Sequence, residues 1–179
     1  NPVTILSKKK LWNQDKTKTG YIPMARIGTV WNILSESKSD LILPIVQTAL
    51  DVTQFILLTG CRWNEAAKLT WNCIKADSWH IPDPKNHNPV ILPLSGPARV
   101  LLESRPRIEG TNFVFPGRNK TDEPTFIKDA RVTMAVISDA AGLHLTHHDL
   151  RRTFIQIGIK LKIEMWKLKL LTNHISKGD

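Results

Sequence analysis

The segment "HHDLRRTFIQIGIKL", residues 147–161, combines two features that decide the fold. It begins with two histidines and two arginines within six residues, and apolar residues then recur at helical spacing. A helix of this kind buries its apolar face and leaves the polar groups of its first turn available for chemistry. We therefore predict a core helix from His148 to about Ile159, with its apolar stripe at Leu150, Phe154, Ile157 and Leu161.

Helical patterns also occur on both sides of this segment. Apolar residues have helical spacing after Pro23, and a broad apolar face runs from about Asp40 to Leu58. The Thr59-Gly60 pair ends that helix, and "RWNEAAKLTW" begins a third, rich in good helix formers. Further helices are predicted at Pro97 to Glu103, Phe126 to Ala140 and about Glu164 to Leu171.

The period shortens between Trp71 and Ser95, where β-leaning stretches alternate with Asp, Ser, Pro and Asn. This pattern predicts a small antiparallel sheet of about three strands, with Lys85 in the turn between the last two. The strands are expected at Cys73-Ile74, Trp79 to Ile81 and Val90 to Leu92. The predicted fold class is therefore mainly α with a small antiparallel β-sheet (α+β), in one domain.

The charge of the chain favours a polyanionic partner. Lysine plus arginine number 25 against 16 aspartates plus glutamates, and the pI is near 9.8. Nucleic acid and an anionic membrane both fit this excess. No apolar run approaches the ~18 residues of a transmembrane helix, and the N-terminal sequence lacks the order of a signal peptide. These observations predict a soluble, intracellular protein whose two cysteines, Cys61 and Cys73, are reduced core residues.

Residues 1–22 mix lysines with threonine, asparagine and glycine and have no sustained apolar period. We predict an exposed basic linker here, although a solvated basic tail fits the composition equally well.

Several polar residues are candidates for a phosphate-binding site. Arg62 begins a helix, where a cation gains nothing from the helix dipole. His148 and Arg151, at i and i+3, share one helix face. A guanidinium holds two oxygens of one phosphate, and imidazole exchanges protons near neutral pH.

The remaining basic residues have simpler interpretations. Arg152 is expected to be a structural ion-pair partner, and His147 a neighbour of the functional histidine. His80, His87 and His144 fit loops or strand ends, and Lys85 by itself would be an ordinary turn lysine.

Four segments, in order, resemble the boxes of the tyrosine recombinases, a family that includes phage integrases. "LLTGCRWNEAAKLTW" is similar to the first arginine box, and "WHIPDPKNHNPVILPLS" to the β-hairpin with the active-site lysine. "HHDLRRTF" is similar to the H-x-x-R box, and "LLTNH" to the box of the second histidine. The resemblance implies the integrase catalytic-domain fold for residues 23–179, with residues 1–22 as the linker from a missing N-terminal core-binding domain.

The resemblance also implies a metal-free, cofactor-independent transesterification. A tyrosine attacks the scissile DNA phosphate, leaving a 3′-phosphotyrosine and a free 5′-hydroxyl. Arg62 and Arg151 would clamp the phosphate oxygens, and His174 would donate a further hydrogen bond. Lys85 would protonate the departing 5′-oxygen, and His148 would handle the proton of the tyrosine. Glu65 matches the acidic position of the family and would orient neighbouring cations rather than touch DNA.

The chain departs from the family pattern in three places. Thr172-Asn173-His174 stands where relatives often have Leu-Gly-His, and Lys162 stands where many place a turn glycine. The nucleophile follows the second histidine by roughly ten residues in the family, and the chain reaches Asp179 without it. Tyr21 is the single tyrosine and lies before the first box, so it cannot take that role.

Two hypotheses follow from these departures. The first is an integrase catalytic domain truncated before its tyrosine, from a prophage or genomic island. The second is a DNA-binding regulator that has lost the nucleophile; a type IB topoisomerase is a weaker third. The resemblance implies double-stranded DNA attachment sites as partners, a homotetramer on DNA for the full-length protein, no membrane association, and a location in the bacterial cytoplasm with the nucleoid.

Overall fold

The computed structural model describes residues 20–36, 43–85, 87–118 and 123–174. The predicted class is confirmed: helices surround a core, and a two-stranded antiparallel sheet lies at one side. The elements, in chain order, are α1 (Ile27–Glu36), α2 (Pro44–Thr59), α3 (Trp63–Ala67), β1 (Ser78–Ile81), β2 (Val90–Pro93), α4 (Gly96–Glu103), α5 (Arg131–Ala141), α6 (His147–Lys160) and α7 (Met165–Leu171). No helix in the described part of the chain is both long and apolar enough to cross a membrane.

Helix α2 is the centre of the domain. It packs against α1, α3, α4, α5 and α6, and its residues are buried almost all round, including Val52, Phe55 and Ile56. A helix that is buried on most sides must be surrounded by other elements, and its buried polar residues, such as Asp51, need partners among them. Because α6 packs on α2, the first turn of α6 lies beside the residues that follow the end of α2.

A buried ion pair also fixes α2 to the chain that follows α4. The guanidinium of Arg105 pairs with the carboxylate of Asp51, and Arg105 Nε donates to the Val114 carbonyl at 2.8 Å. Thr48 accepts a further hydrogen bond from Arg105. Removing one partner of a buried pair leaves an uncompensated charge, so this contact requires both residues.

The sheet is smaller than the sequence pattern predicts. Strands β1 and β2 pair from Ser78 with Pro93 to Ile81 with Val90. The prediction of a third strand at Cys73-Ile74 was wrong. Ile74 makes one isolated bridge to Trp79, and Cys73 lies in a 3₁₀ turn. Cys61 is a buried free cysteine as expected, whereas Cys73 is half-buried.

Three predicted helix details need correction or fall outside the described residues. The helix predicted from Phe126 begins at Arg131, because Phe126 makes a β-bridge with Pro116 instead. Leu161, predicted to lie on the buried stripe of α6, is 68% exposed because the helix ends at Lys160. The expected start of the second helix, residues 40–42, lies outside the described residues.

Candidate phosphate-binding site

The start of α3, the β1–β2 turn and the start of α6 border one cavity of about 630 Å³. Its lining includes four of the five residues predicted to be catalytic: Arg62, Lys85, His148 and Arg151. These residues are separated by up to 89 positions in sequence. The packing of α6 against α2, together with the β1–β2 hairpin, brings them together.

Arg62 is held in place by Glu65. The Glu65 carboxylate accepts a hydrogen bond from the Arg62 backbone N–H at 2.8 Å and a second from Arg62 Nη1, also at 2.8 Å. The first bond caps the N-terminus of α3, and the second fixes the guanidinium. Arg62 stays partly exposed while the Glu65 side chain is buried. Glu65 also belongs to the lining of the cavity, and its buried carboxylate orients the guanidinium of Arg62 there.

Arg151 is nearly inaccessible, with 3% of its surface exposed. Its Nη1 donates to the Gly60 carbonyl at 2.8 Å, and its Nη2 is buried with no hydrogen-bond partner among the described residues. Burial, followed by the nearby charge of Arg62, lowers the pKa of Arg151 to about 10. The guanidinium is still cationic at neutral pH, so two neighbouring positive charges border the cavity and one buried donor is unsatisfied. A bound anion would relieve both costs.

Gly60 connects the end of α2 to this arginine. Its φ of 66° ends the helix in the left-handed region, and an added Cβ would lie 2.4 Å from Cδ1 of Phe154. Both the backbone conformation and the close approach require glycine.

We expect Gly60→Ala to destabilise the domain more than Gly142→Ala. Gly142 also ends a helix, α5, at a φ of 72°, but an added Cβ there meets nothing within 4 Å. The control should therefore lose only about 1–2 kcal/mol of backbone strain, whereas Gly60→Ala should lose more because the Phe154 ring must move. Urea unfolding of both variants measures the difference. Equal losses would show that the contact with Phe154 is unimportant.

The side chain of His148 is exposed, unlike that of Arg151. Desolvation, and then the charges of Arg152 and Arg151, lower the pKa of His148 below its ordinary value. The imidazole is therefore neutral at pH 7 and can accept a proton. This state suits a group that removes a proton from an attacking hydroxyl.

The first turn of α6 is fixed by Asp149. Although burial raises its pKa, hydrogen bonds from Thr146 and Arg152 lower it overall, so the carboxylate stays ionised. Asp149 accepts from the Thr146 backbone at 2.8 Å and from Arg152 Nη1 at 2.8 Å. Arg152 is therefore an ion-pair partner, as predicted, and is not a member of the cavity lining.

Lys85 lies in the turn between β1 and β2, as expected from the sequence. Pro84 beside it is buried, and its carbonyl accepts a hydrogen bond from the His87 backbone at 2.8 Å. The turn is thus anchored on the protein, while the exposed Lys85 contributes to the cavity lining.

His174 is the predicted site residue that does not line the cavity. Its backbone follows α7, and the preceding residue, Asn173, accepts hydrogen bonds from both Nη atoms of Arg62 at 3.3 Å. The box with the second histidine therefore contacts Arg62 through its backbone, and the His174 side chain is exposed.

The two positions that depart from the family pattern, Lys162 and Asn173, both have left-handed backbone. Lys162 has a φ of 58° and Asn173 a φ of 46°. Asn adopts this region more readily than most residues, and lysine does so less often. The two turns are thus retained without glycine: Lys162 separates α6 from α7, and Asn173 positions the carbonyl that meets Arg62.

Several residues that line the cavity were not predicted from the sequence, among them Trp63, Lys68 and His80. Trp63 packs on His147, with ring centroids 4.1 Å apart, and Lys68 and His80 also belong to the lining. This contact between the rings joins the helix that follows Arg62 to the helix that carries Arg151. Nothing in the spacing of Trp63 and His147 indicates it, because they are far apart in sequence.

Tyr21 lies outside the cavity lining and is 41% exposed. The chain on both sides of it is attached to α6: the Ile22 backbone N–H donates to Thr153 Oγ1 at 2.9 Å, and Gly20 lies against Asp149. Ile22 is fully buried, so the last residue of the predicted linker belongs to the core. Residues 1–19 lie outside the described residues.

The fold is that of the catalytic domains of tyrosine recombinases. The XerH site-specific recombinase, bound to its difH substrate in a pre-cleavage complex, matches with a TM-score of 0.66 and 16% identity over 87% of this chain. The catalytic domain of bacteriophage HP1 integrase matches with a TM-score of 0.59 and 18% identity; the match covers 88% of this chain and 82% of that domain. A lambda integrase tetramer bound to a Holliday junction matches at 0.56 and 17% identity, over 85% of this chain and 46% of that one.

The family is defined by sequence as well as by fold. The model of the phage integrase family matches residues 30–177, and the chain belongs to this family. No curated protein sequence matches the chain significantly. The chain spans about half the length of the XerH recombinase, 47% of it.

Proposed function

We propose that this chain is the catalytic domain of an integrase that performs site-specific recombination of DNA for a prophage or a genomic island. The observation that carries the proposal is the pairing of Arg62 and Arg151 at one cavity, with Arg151 Nη2 buried and unpartnered. A site of this kind favours a compact anion, and a DNA phosphodiester is the anion that the family's chemistry uses.

Charge stabilisation is the main task of the two arginines. As an oxygen attacks phosphorus, negative charge grows on the two non-bridging oxygens. Arg151, buried and held by Gly60, cannot reorganise, so its donors are in place before the charge develops. Arg62, fixed by Glu65, supplies the second cation.

Proton transfer is assigned to the more accessible groups. Neutral His148 accepts the proton of the attacking hydroxyl, and Lys85 donates a proton to the 5′-oxygen that leaves. His174 donates a hydrogen bond to the phosphate once DNA is bound. The products are a 3′-phosphotyrosine and a free 5′-hydroxyl, and attack by another strand's hydroxyl reverses the step.

The proposed arrangement of the whole protein extends beyond this chain. Residues 1–22 form the basic linker from an N-terminal core-binding domain, apart from the attachment of Gly20 to Ile22 described above. Double-stranded attachment sites are the partners, and four subunits assemble on DNA. The lambda integrase tetramer on a Holliday junction supports this arrangement by analogy. The protein acts in the bacterial cytoplasm, where the chromosome lies.

The nucleophile is proposed to be a tyrosine outside this sequence. Tyr21 is the single tyrosine, and it does not line the cavity of Arg62 and Arg151. Attack on phosphorus needs an oxygen held about 3 Å away and in line with the leaving group. We call a longer protein that carries the attacking tyrosine after this sequence the tyrosine-bearing form.

We expect this chain alone to form no covalent complex with DNA, and the tyrosine-bearing form to do so. A nicked suicide substrate traps the phosphotyrosine, and a band that resists denaturant on a gel reports it. An adduct of the short chain that disappears in Tyr21→Phe would overturn the assignment of the nucleophile. A tyrosine-bearing form that binds DNA but never forms the adduct would instead indicate a non-catalytic DNA-binding regulator.

A further inference from the structure

Two lysines lie over the same aromatic ring beside the cavity. Lys128 Nζ is 3.5 Å from the centroid of the Phe126 ring, and Lys68 Nζ is 5.7 Å from it. The ring is half-buried and packs edge-on against Phe113, with centroids 5.6 Å apart. Because the bridge to Pro116 also holds the backbone of Phe126, the ring is a fixed platform for both ammonium groups.

Neither of these two lysines forms an ion pair in the described part of the chain. Both lysines are exposed. Within the described residues neither has a carboxylate within ion-pair distance, whereas Arg62, Arg99, Arg105, Arg131, Arg152 and Lys167 each have one. The aromatic face attracts each ammonium group, but it does not neutralise two positive charges placed near one another. An anion with more than one charge would do so.

The distance between the lysines suits a nucleic-acid backbone. The two nitrogens can be no farther apart than the sum of their distances to the ring, about 9 Å. Successive phosphates of one DNA strand advance about 3.4 Å along the helix axis, so neighbouring phosphates fall within this reach. Lysine binds phosphate as a point charge and requires no fixed geometry.

Lys68 also lines the cavity that contains Arg62 and Arg151. We propose that Lys68 and Lys128, held by Phe126, form a second DNA-backbone contact, which binds phosphates next to the one clamped by the two arginines. This inference rests on the proposed function, because it assumes that the ligand of the cavity is DNA. Contacts of this type position the strand and do not read bases, so the two lysines contribute equally to binding of any sequence.

The test is the salt dependence of binding to a fluorescent duplex, measured by anisotropy with this chain between about 50 and 200 mM salt. Each phosphate contact that is lost should reduce the slope of log K against log salt by about 0.9. The Lys68→Gln/Lys128→Gln variant should therefore lose about twice that value. The Phe126→Leu variant keeps both charges but removes the aromatic ring under them. Its slope should therefore fall by less than the slope of the double lysine variant.

The matched control is Lys160→Gln/Lys162→Gln, which removes two exposed lysines at the opposite end of α6 from His148 and Arg151. Its slope should remain that of the unmodified chain, and circular dichroism verifies the fold of every variant. If both double variants change the slope equally, the contact proposed here is wrong while DNA binding stands. If the unmodified chain does not bind duplex DNA even at the lowest salt, the proposed function itself fails and this inference fails with it.

Discussion

Replacing Arg151 with alanine is expected to slow DNA strand cleavage by more than about 100-fold in the tyrosine-bearing form. Loss of a preorganised donor at a developing oxyanion costs about 3 kcal/mol or more in the transition state. Arg151 is the most deeply buried of the proposed phosphate ligands, so water cannot replace it. Single-turnover cleavage of a suicide substrate, at saturating protein, measures the effect on the chemical step.

Two controls separate this role from a structural one. Arg151 also satisfies the Gly60 carbonyl, so the alanine variant needs a thermal unfolding measurement beside the cleavage rate. Arg99→Ala removes an exposed arginine on α4 and should leave both quantities nearly unchanged. Arg151→Lys keeps the charge but loses the planar fork, and should remain strongly impaired. If Arg151→Ala cleaves at a normal rate, or if every substitution there unfolds the domain, the role in catalysis is refuted.

Replacing Lys85 with alanine is expected to reduce cleavage of ordinary DNA by about 10²–10⁴-fold, the usual contribution of a general acid. A substrate with a 5′-bridging phosphorothiolate should restore most of the rate, because a thiolate leaves without a proton. Lys75→Ala is the matched control, since Lys75 is an exposed lysine just before β1 that lines a different cavity.

The two substrates distinguish two roles for Lys85. If it only held the DNA backbone, its loss would slow cleavage of both substrates by the same factor. If it is the general acid, the loss is confined to the oxygen leaving group. If Lys85→Ala slows cleavage of both substrates equally, Lys85 is not the general acid. The proposed role of Arg62 and Arg151 is not affected by that result.

Most helices could be predicted from the sequence, because a helix that buries one face has apolar residues that recur at helical spacing. The segment around Phe126 was mistaken for the start of a helix because its apolar residues fit either period. In the structure the Ile127 N–H donates to the Phe115 carbonyl at 2.9 Å, and Phe126 makes an isolated β-bridge with Pro116, so residues 126–127 pair with the preceding segment of chain and not within a helix. Tertiary contacts of this kind override local preference and leave no signal in a short window.

Of the five residues predicted to be catalytic, the structure brings four to one cavity and leaves His174 outside its lining, while their roles in catalysis stay a prediction. The ordered boxes indicated Arg62, Lys85, His148 and Arg151, and the cavity contains all four. Sequence could not show that the Gly60 carbonyl holds Arg151, because that contact spans 91 positions. The platform of Phe126 under two lysines depends likewise on loops whose paths no periodicity reports.

The charge of the cleaved phosphate offers the most direct test of the central claim, that Arg62 and Arg151 bind it. A methylphosphonate at that position replaces one charged oxygen with a methyl group. The tyrosine-bearing form should cleave this neutral substrate far more slowly than normal DNA, whereas Arg151→Ala should lose little further rate, because the charge that the arginine stabilises is already absent. If the methylphosphonate slowed the unmodified protein and the Arg151→Ala variant by the same factor, Arg151 would not contact that phosphate, and the proposed site would be wrong.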